Sequence, residues 1–178
     1  MDDTGKVEIF WRDCLANGLK VLPPDVNASG FRFEPVADEY MAKGLPPRTI
    51  RYGLGAVKGT GQSAVEEIIR ARQSGPFTSL FDFCRRVDRH TVNRRSIEAL
   101  IRAGAFDLIE PNRAALIASL ATAVEAAEQA ERSANQVSLF GDDSDDVVNI
   151  ELAKVPAWDL HTTLMEEKLA LGFFFSAH

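Results

Sequence analysis

The chain has 178 residues, 46% of them hydrophobic and 26% charged, with a formal net charge of −6. That apolar share supplies a packed core and excludes wholesale disorder. No run reaches the roughly 18 apolar residues of a membrane span, and the opening Met-Asp-Asp has neither the basic start nor the apolar stretch of a secretory leader.

The net charge alone argues against a polyanionic partner, but its distribution does not. Residues 1–47 carry 5 Lys+Arg against 8 Asp+Glu, residues 48–113 carry 12 against 7, and residues 114–178 carry 3 against 11. A basic middle thus lies between acidic ends, the asymmetry expected of a local polyanion site or of a solvated Arg-rich helical face. Cys14 and Cys84 are too few and too far apart for a disulfide framework, and His90, His161 and His178 form no zinc spacing with them. Both thiols read as small apolar residues on helix faces.

In chain order, Val7, Phe10, Trp11, Cys14 and Leu15 recur at helical spacing and predict a helix over 6–16, stopped by Gly18. Val21-Leu22 suits a short strand before the rigid Pro23-Pro24 turn. Phe31, Phe33 and Pro35 alternate with polar residues, a second strand, with 49–52 as its partner across a loop holding Pro46-Pro47. Helices dominate from Leu54. Ser63-Ala-Val-Glu66 reads as a capping box for a helix ending near Arg72. Ser79 caps a short helix through Cys84, and Asn93 caps one that Gly104 ends. Asn112 caps a long Ala-rich helix over about 113–133. The acidic run 141–146 has no periodicity and reads as loop. A last element holds Trp158, Leu160, Leu164 and 169–175. Three adjacent phenylalanines, Phe173–Phe175, read as an exposed apolar patch whose cover lies beyond this segment. The expected fold class is mainly α, with a small α/β element at the N-terminal side.

Three motifs carry chemistry. Leu54-Gly-Ala-Val-Lys-Gly59-Thr60-Gly61-Gln62-Ser63-Ala64 through Ile68 fits a helix-hairpin-helix pattern. Its two glycines allow a tight turn and close approach to a surface. The amides at the next helix start then point outward with the positive end of the dipole behind them, a seat for a phosphate oxygen that reads no base. Lys58 and Arg51 add charge. Thr60 stands where an aliphatic anchor is usual, which predicts a slightly loosened turn. Gly59-x-Gly61-x-x-Ala64 also matches a dinucleotide fingerprint, but the following interval holds helices instead of the parallel strand that a Rossmann unit needs. Gly-Lys-Ser/Thr, the mark of a phosphate-loop nucleotidase, is absent.

The second motif runs from Asp88 through Asn93-Arg94-Arg95 to Gly104-Ala-Phe-Asp107 and Asn112-Arg113, a degenerate copy of the first without its second glycine. Arg85, Arg86, Arg89, Arg94, Arg95, Arg102 and Arg113 make it strongly basic. About half of them are expected to pair with Asp82, Asp88, Glu98 and Asp107. The third motif is Gln136-Val137-Ser138-Leu139-Phe140, a linear-peptide pattern whose Leu and Phe would anchor in an apolar pocket of a partner or dock back on the core. No nucleophile elbow or spaced carboxylate set for two-metal chemistry is present.

Taken together these motifs resemble the bacterial replicative C-family polymerases, the DNA polymerase III alpha subunits. Gly18–Asn27 resembles a fingers-region motif of that family and Arg51–Ile68 its first hairpin. Leu80–Cys84, Val92–Arg95 and Gly104–Asp107 resemble the second hairpin. Gln136–Phe140 resembles the family's internal clamp-binding motif, with Val137 where Leu is preferred. Glu167–Phe173 resembles the lead into an oligonucleotide-binding fold. The resemblance implies an end-of-fingers element over 1–53, a tandem hairpin DNA-binding module over 54–134, a clamp-binding peptide and acidic linker over 135–157, and a lead into a further domain over 158–178. It implies duplex DNA, a sliding clamp and the other replicase subunits and domains as partners, in the cytoplasm and with no membrane. Lys58, Gly59, Thr60, Gly61, Gln62, Ser63, Asn93, Arg94, Arg95 and Arg113 would meet DNA, and Gln136–Phe140 the clamp. The family's nucleotidyltransferase carboxylates and their magnesium lie in a palm region outside this segment, so no cofactor and no polymerisation are expected of it alone. The alternative reading is a helical protein-docking module that does not bind DNA.

Overall fold

The computed structural model describes residues 4–140 and 150–177. The chain opens with α1 (Thr4–Ala16), which turns its Trp11 and Cys14 inward while Phe10 and Leu15 stay partly exposed. Gly18, at φ +72, reverses the chain, and the Leu19 amide reaches back to the Cys14 carbonyl at 2.8 Å. β1 (Lys20–Leu22), β2 (Glu34–Val36) and β3 (Thr49–Arg51) form a mixed sheet of order β1-β3-β2. β1 runs parallel to β3 with Val21 opposite Ile50, and β2 runs antiparallel with Pro35 opposite Ile50. The expected β2–β3 pair is therefore present, but its first strand begins at Glu34. Phe31 lies instead in a loop whose Gly30 and Phe31 carbonyls accept the amides of Leu54 and Gly55. That loop lies so close that a Cβ on Gly53 would meet the Arg32 carbonyl carbon at 2.5 Å. The glycines at 53 and 55 are packing requirements. A short helix absent from the sequence reading, α2 (Glu39–Ala42), is set by Asp38, whose carboxylate accepts the amides of Tyr40, Met41 and Arg48.

The helical part starts with a single 3-10 turn at Leu54–Ala56, then α3 (Gln62–Ala71), α4 (Leu80–Arg86), α5 (Arg94–Arg102) and α6 (Arg113–Phe140). Ser79 caps α4 by accepting the Asp82 amide, Asn93 caps α5 through the Ser96 amide, and Asn112 accepts the Ala115 amide at the start of α6. The predicted capping box does not form. Gly61 is the N-cap of α3, Ser63 sits inside the first turn, and Glu66 accepts from the Gln62 side chain at 3.1 Å. α6 packs on α4 and α5, closing a core of Leu80, Phe83, Ile97, Leu100, Ile101, Phe106, Leu116 and Leu120. It also runs seven residues past the predicted end at Ser133. The first glycine after Arg113 is Gly141, and no proline intervenes, so nothing interrupts helix propensity.

α7 (Leu160–Leu171), capped by Asp159 and ended by Gly172 at φ +89, packs on α5. Beyond it the predicted patch of three exposed phenylalanines is not what forms. Phe173 is buried 5.1 Å from Trp11, Phe175 lies 5.9 Å from Tyr52, and Phe174 alone stays exposed. The C-terminal segment thus returns to the N-terminal element. Burial pushes the Tyr52 phenol and the Cys84 thiol upward, the latter to about 12. Among the described residues no helix is long and apolar enough to cross a membrane.

Candidate nucleic-acid interface

The first hairpin turn is built as its sequence demands. Gly59 takes φ +81, where a side chain is strained, and a Cβ on Gly59 or Gly61 would meet nothing within 4 Å. Thr60 between them is 4% exposed, and its amide donates to the Val57 carbonyl at 3.1 Å. Thr60 therefore plugs the core as an aliphatic anchor would and the turn is closed, contrary to the loosening expected. Its hydroxyl is buried without a partner among the described residues. Gly61 caps α3 with no side-chain bond, so the first amides of α3, from Gln62 and Ser63 onward, are left open on an exposed surface. Lys58 is half-buried, and its amide is held by the Ala170 carbonyl at 2.8 Å.

The second helix start that joins this turn is that of α5. Val92 is fully buried at the place Thr60 has in the first turn, and Asn93 stands at the N-cap where the first copy has Gly61. Arg94 is exposed and lies 3.6 Å from Glu98, whereas Arg95 is exposed with no ion pair among the described residues. Ser96, 4% exposed, donates its hydroxyl to the Gly59 carbonyl at 3.1 Å and so bonds the two turns to each other. Nothing in the sequence pattern marked Ser96 beyond its place in a capped first turn.

Arg113 leaves the phosphate set. Its side chain is 11% exposed and its guanidinium binds both oxygens of Asp107, at 2.9 and 2.7 Å, the Arg102 carbonyl and Glu167 at 3.0 Å. Burial opposes its charge, yet Asp107 and Glu167 hold its pKa above the ordinary value. Gly104, at φ +84, makes room for that pair, since a Cβ there would meet the Arg113 guanidinium at 2.4 Å. The Gly104 turn is thus a structural corner. The other arginines divide. Arg85 and Arg86 hold Asp82, whose pKa they and the Thr78 amide keep low despite partial burial. Arg89 holds Glu131, and Arg102 reaches Glu166 at 2.7 Å. Among the described residues Asp88 forms no ion pair with an arginine and instead shapes the turn before α5 by accepting the His90 amide.

Gln136–Phe140 forms the last residues of α6, not a loop. Gln136 is exposed; the side chains of Val137, Ser138, Leu139 and Phe140, and the acidic run 142–146, lie outside the described residues. Among the described residues no group of three His, Cys, Asp or Glu is placed to hold a metal ion.

The chain is 48% identical over 179 residues to the DNA polymerase III subunit alpha of Neisseria meningitidis serogroup B. It is 42% identical over 183 residues to that of Xylella fastidiosa and 39% identical over 183 residues to that of Escherichia coli. Each match covers 100% of this chain and 15% of the relative, so the chain spans about one seventh of the length of these proteins. The helix-hairpin-helix motif family matches residues 18–116, more than half of the chain and both turns just described. The chain belongs to the helix-hairpin-helix family.

Proposed function

We propose that this chain is a tandem hairpin module that grips the backbone of duplex DNA without reading sequence, and that it links a replicative polymerase to a sliding clamp through Gln136–Phe140. The observation that carries the DNA reading is the open, glycine-capped start of α3 bonded through Gly59 and Ser96 to the start of α5. The open amides at these two linked helix starts favour phosphate oxygens, and Lys58, Arg94 and Arg95 stand next to them in sequence. Thr60 and Asn93 serve as the buried plug of one turn and the cap of the other. Contact is made by the amides of Gln62, Ser63, Arg94 and Arg95 and by the basic side chains.

The relatives' name, DNA polymerase III subunit alpha, supports a place in DNA replication. The parent protein is then a DNA-directed polymerase, and its nucleotidyl transfer and magnesium belong to regions this chain does not include. The clamp reading rests on the match of Gln-x-x-Leu-Phe to a docking peptide and on an exposed Gln136 in the last turns of α6. Titrating the chain into a fluorescent duplex tests the DNA reading: a saturable rise in anisotropy, equal for unrelated sequences, is expected. A docking module would give no saturable signal.

A further inference from the structure

Ser96 is almost fully buried at the third position of α5, where a small apolar residue would fill the space equally well. Its amide already satisfies the Asn93 side-chain oxygen at 3.0 Å. Its hydroxyl has one proton and two acceptors in reach, Gly59 O at 3.1 Å and Asn93 Oδ1 at 3.2 Å. Asn93 Oδ1 is occupied by the amide, and the Gly59 carbonyl has no other donor among the described residues, so the proton goes to Gly59. Gly59 is the residue of the first turn with the left-handed backbone, the point at which that turn is conformationally most free. A buried side chain from the second hairpin therefore holds the hinge of the first.

We infer that Ser96 is a positioning residue for DNA binding: by holding the Gly59 carbonyl it fixes the spacing between the start of α3 and the start of α5, so that the two helix ends engage backbone phosphates together. This rests on the DNA reading above. Without the bond each turn keeps its own core plug, Thr60 or Val92, but a direct link that fixes their mutual register is lost.

The test is S96A and S96T in the intact chain, titrated into a fluorescent duplex at several salt concentrations, at a temperature where circular dichroism shows all three proteins folded. S96A is expected to weaken binding about 3- to 10-fold at low salt and to flatten the slope of log K against log salt by about 0.9, one phosphate contact. S96T retains the hydroxyl and is expected to restore both. A role confined to core packing would lower the melting temperature and leave the salt slope unchanged. Wild-type affinity and slope in S96A overturn the positioning role while leaving the DNA reading standing. Absence of saturable binding by the parent chain overturns both.

Discussion

Gly59 and Gly61 answer to different constraints although two residues apart. Gly59 needs its left-handed backbone, so any side chain there costs about 1–2 kcal/mol. Gly61 has φ −78, and a Cβ on it meets nothing. The fold therefore does not require glycine at 61, and the proposed close approach of a phosphate is what would. G61S tests this, because serine is a better N-cap than glycine and its hydroxyl would occupy an α3 amide. Its melting temperature is expected to equal or exceed that of the parent, while duplex affinity falls about 5-fold or more as the amide is lost to phosphate. Unchanged affinity would mean that the α3 amides do not touch DNA. This position was legible in the sequence as half of Gly-x-Gly. Ser96 and the buried state of Arg113 were not, because both depend on which distant residues the fold brings alongside: Gly59 for one, Asp107 and Glu167 for the other.

Among the elements, α6 is the longest, and its second half is the less buried. Among its described side chains Ala127 is the last buried one; none from Glu128 to Gln136 is buried, and Arg89 makes a lateral ion pair to Glu131. Residues 128–140 extend about 20 Å at 1.5 Å per residue. Replacing Leu139 and Phe140 together by alanine is expected to abolish retention of the chain on immobilised sliding clamp while helix content by circular dichroism stays the same. Full retention would reject the tether. The strongly capped helices were readable from Ser79, Asn93 and Asn112, since each supplies the side-chain oxygen its helix start needs. The far end of α6 was misjudged because apolar periodicity fades after Ala127, whereas helix propensity persists to Gly141. α2 was missed because four residues show no period at all, and it exists through the Asp38 carboxylate.

At the scale of the whole molecule, two further ties, beyond the Gly30–Phe31 loop bonded to Leu54 and Gly55, join the sheet element to the helices. The segment after Pro23-Pro24 is one: the Val26 amide bonds the Ala105 carbonyl, Asn27 exchanges two hydrogen bonds with the backbone of Phe77, and Arg72 holds the carbonyls of Val26 and Ser29. The C-terminal segment is the other: Phe173 and Phe175 pack on Trp11 and Tyr52 while Glu167, 1% exposed, accepts from Arg113 and from the Ser176 amide. Removing that carboxylate leaves the Arg113 guanidinium with Asp107 as its remaining carboxylate partner and deprives the Ser176 amide of its acceptor, so E167A is expected to cost about 1–3 kcal/mol in urea unfolding. A loss below about 1 kcal/mol would show the pair to be solvated, as exposed pairs are. The aromatic return was beyond sequence reading, since three successive phenylalanines look exposed until Trp11 and Tyr52 are seen to cover two of them. The uneven charge was readable at once, but its use depends on which arginines remain free. Arg85, Arg86, Arg89, Arg102 and Arg113 are held by carboxylates, leaving Arg95, Lys58 and the weakly paired Arg94 near the two turns. Under the proposed DNA reading, these few cations and the open amides set the binding strength. With about 3–5 phosphate contacts, log K for duplex DNA should fall with log salt at a slope of roughly −3 to −4. That slope, measured by anisotropy on duplexes of unrelated sequence, is the most direct test of backbone gripping. The same steep slope for every sequence is the predicted result, and a flat response to salt would contradict it.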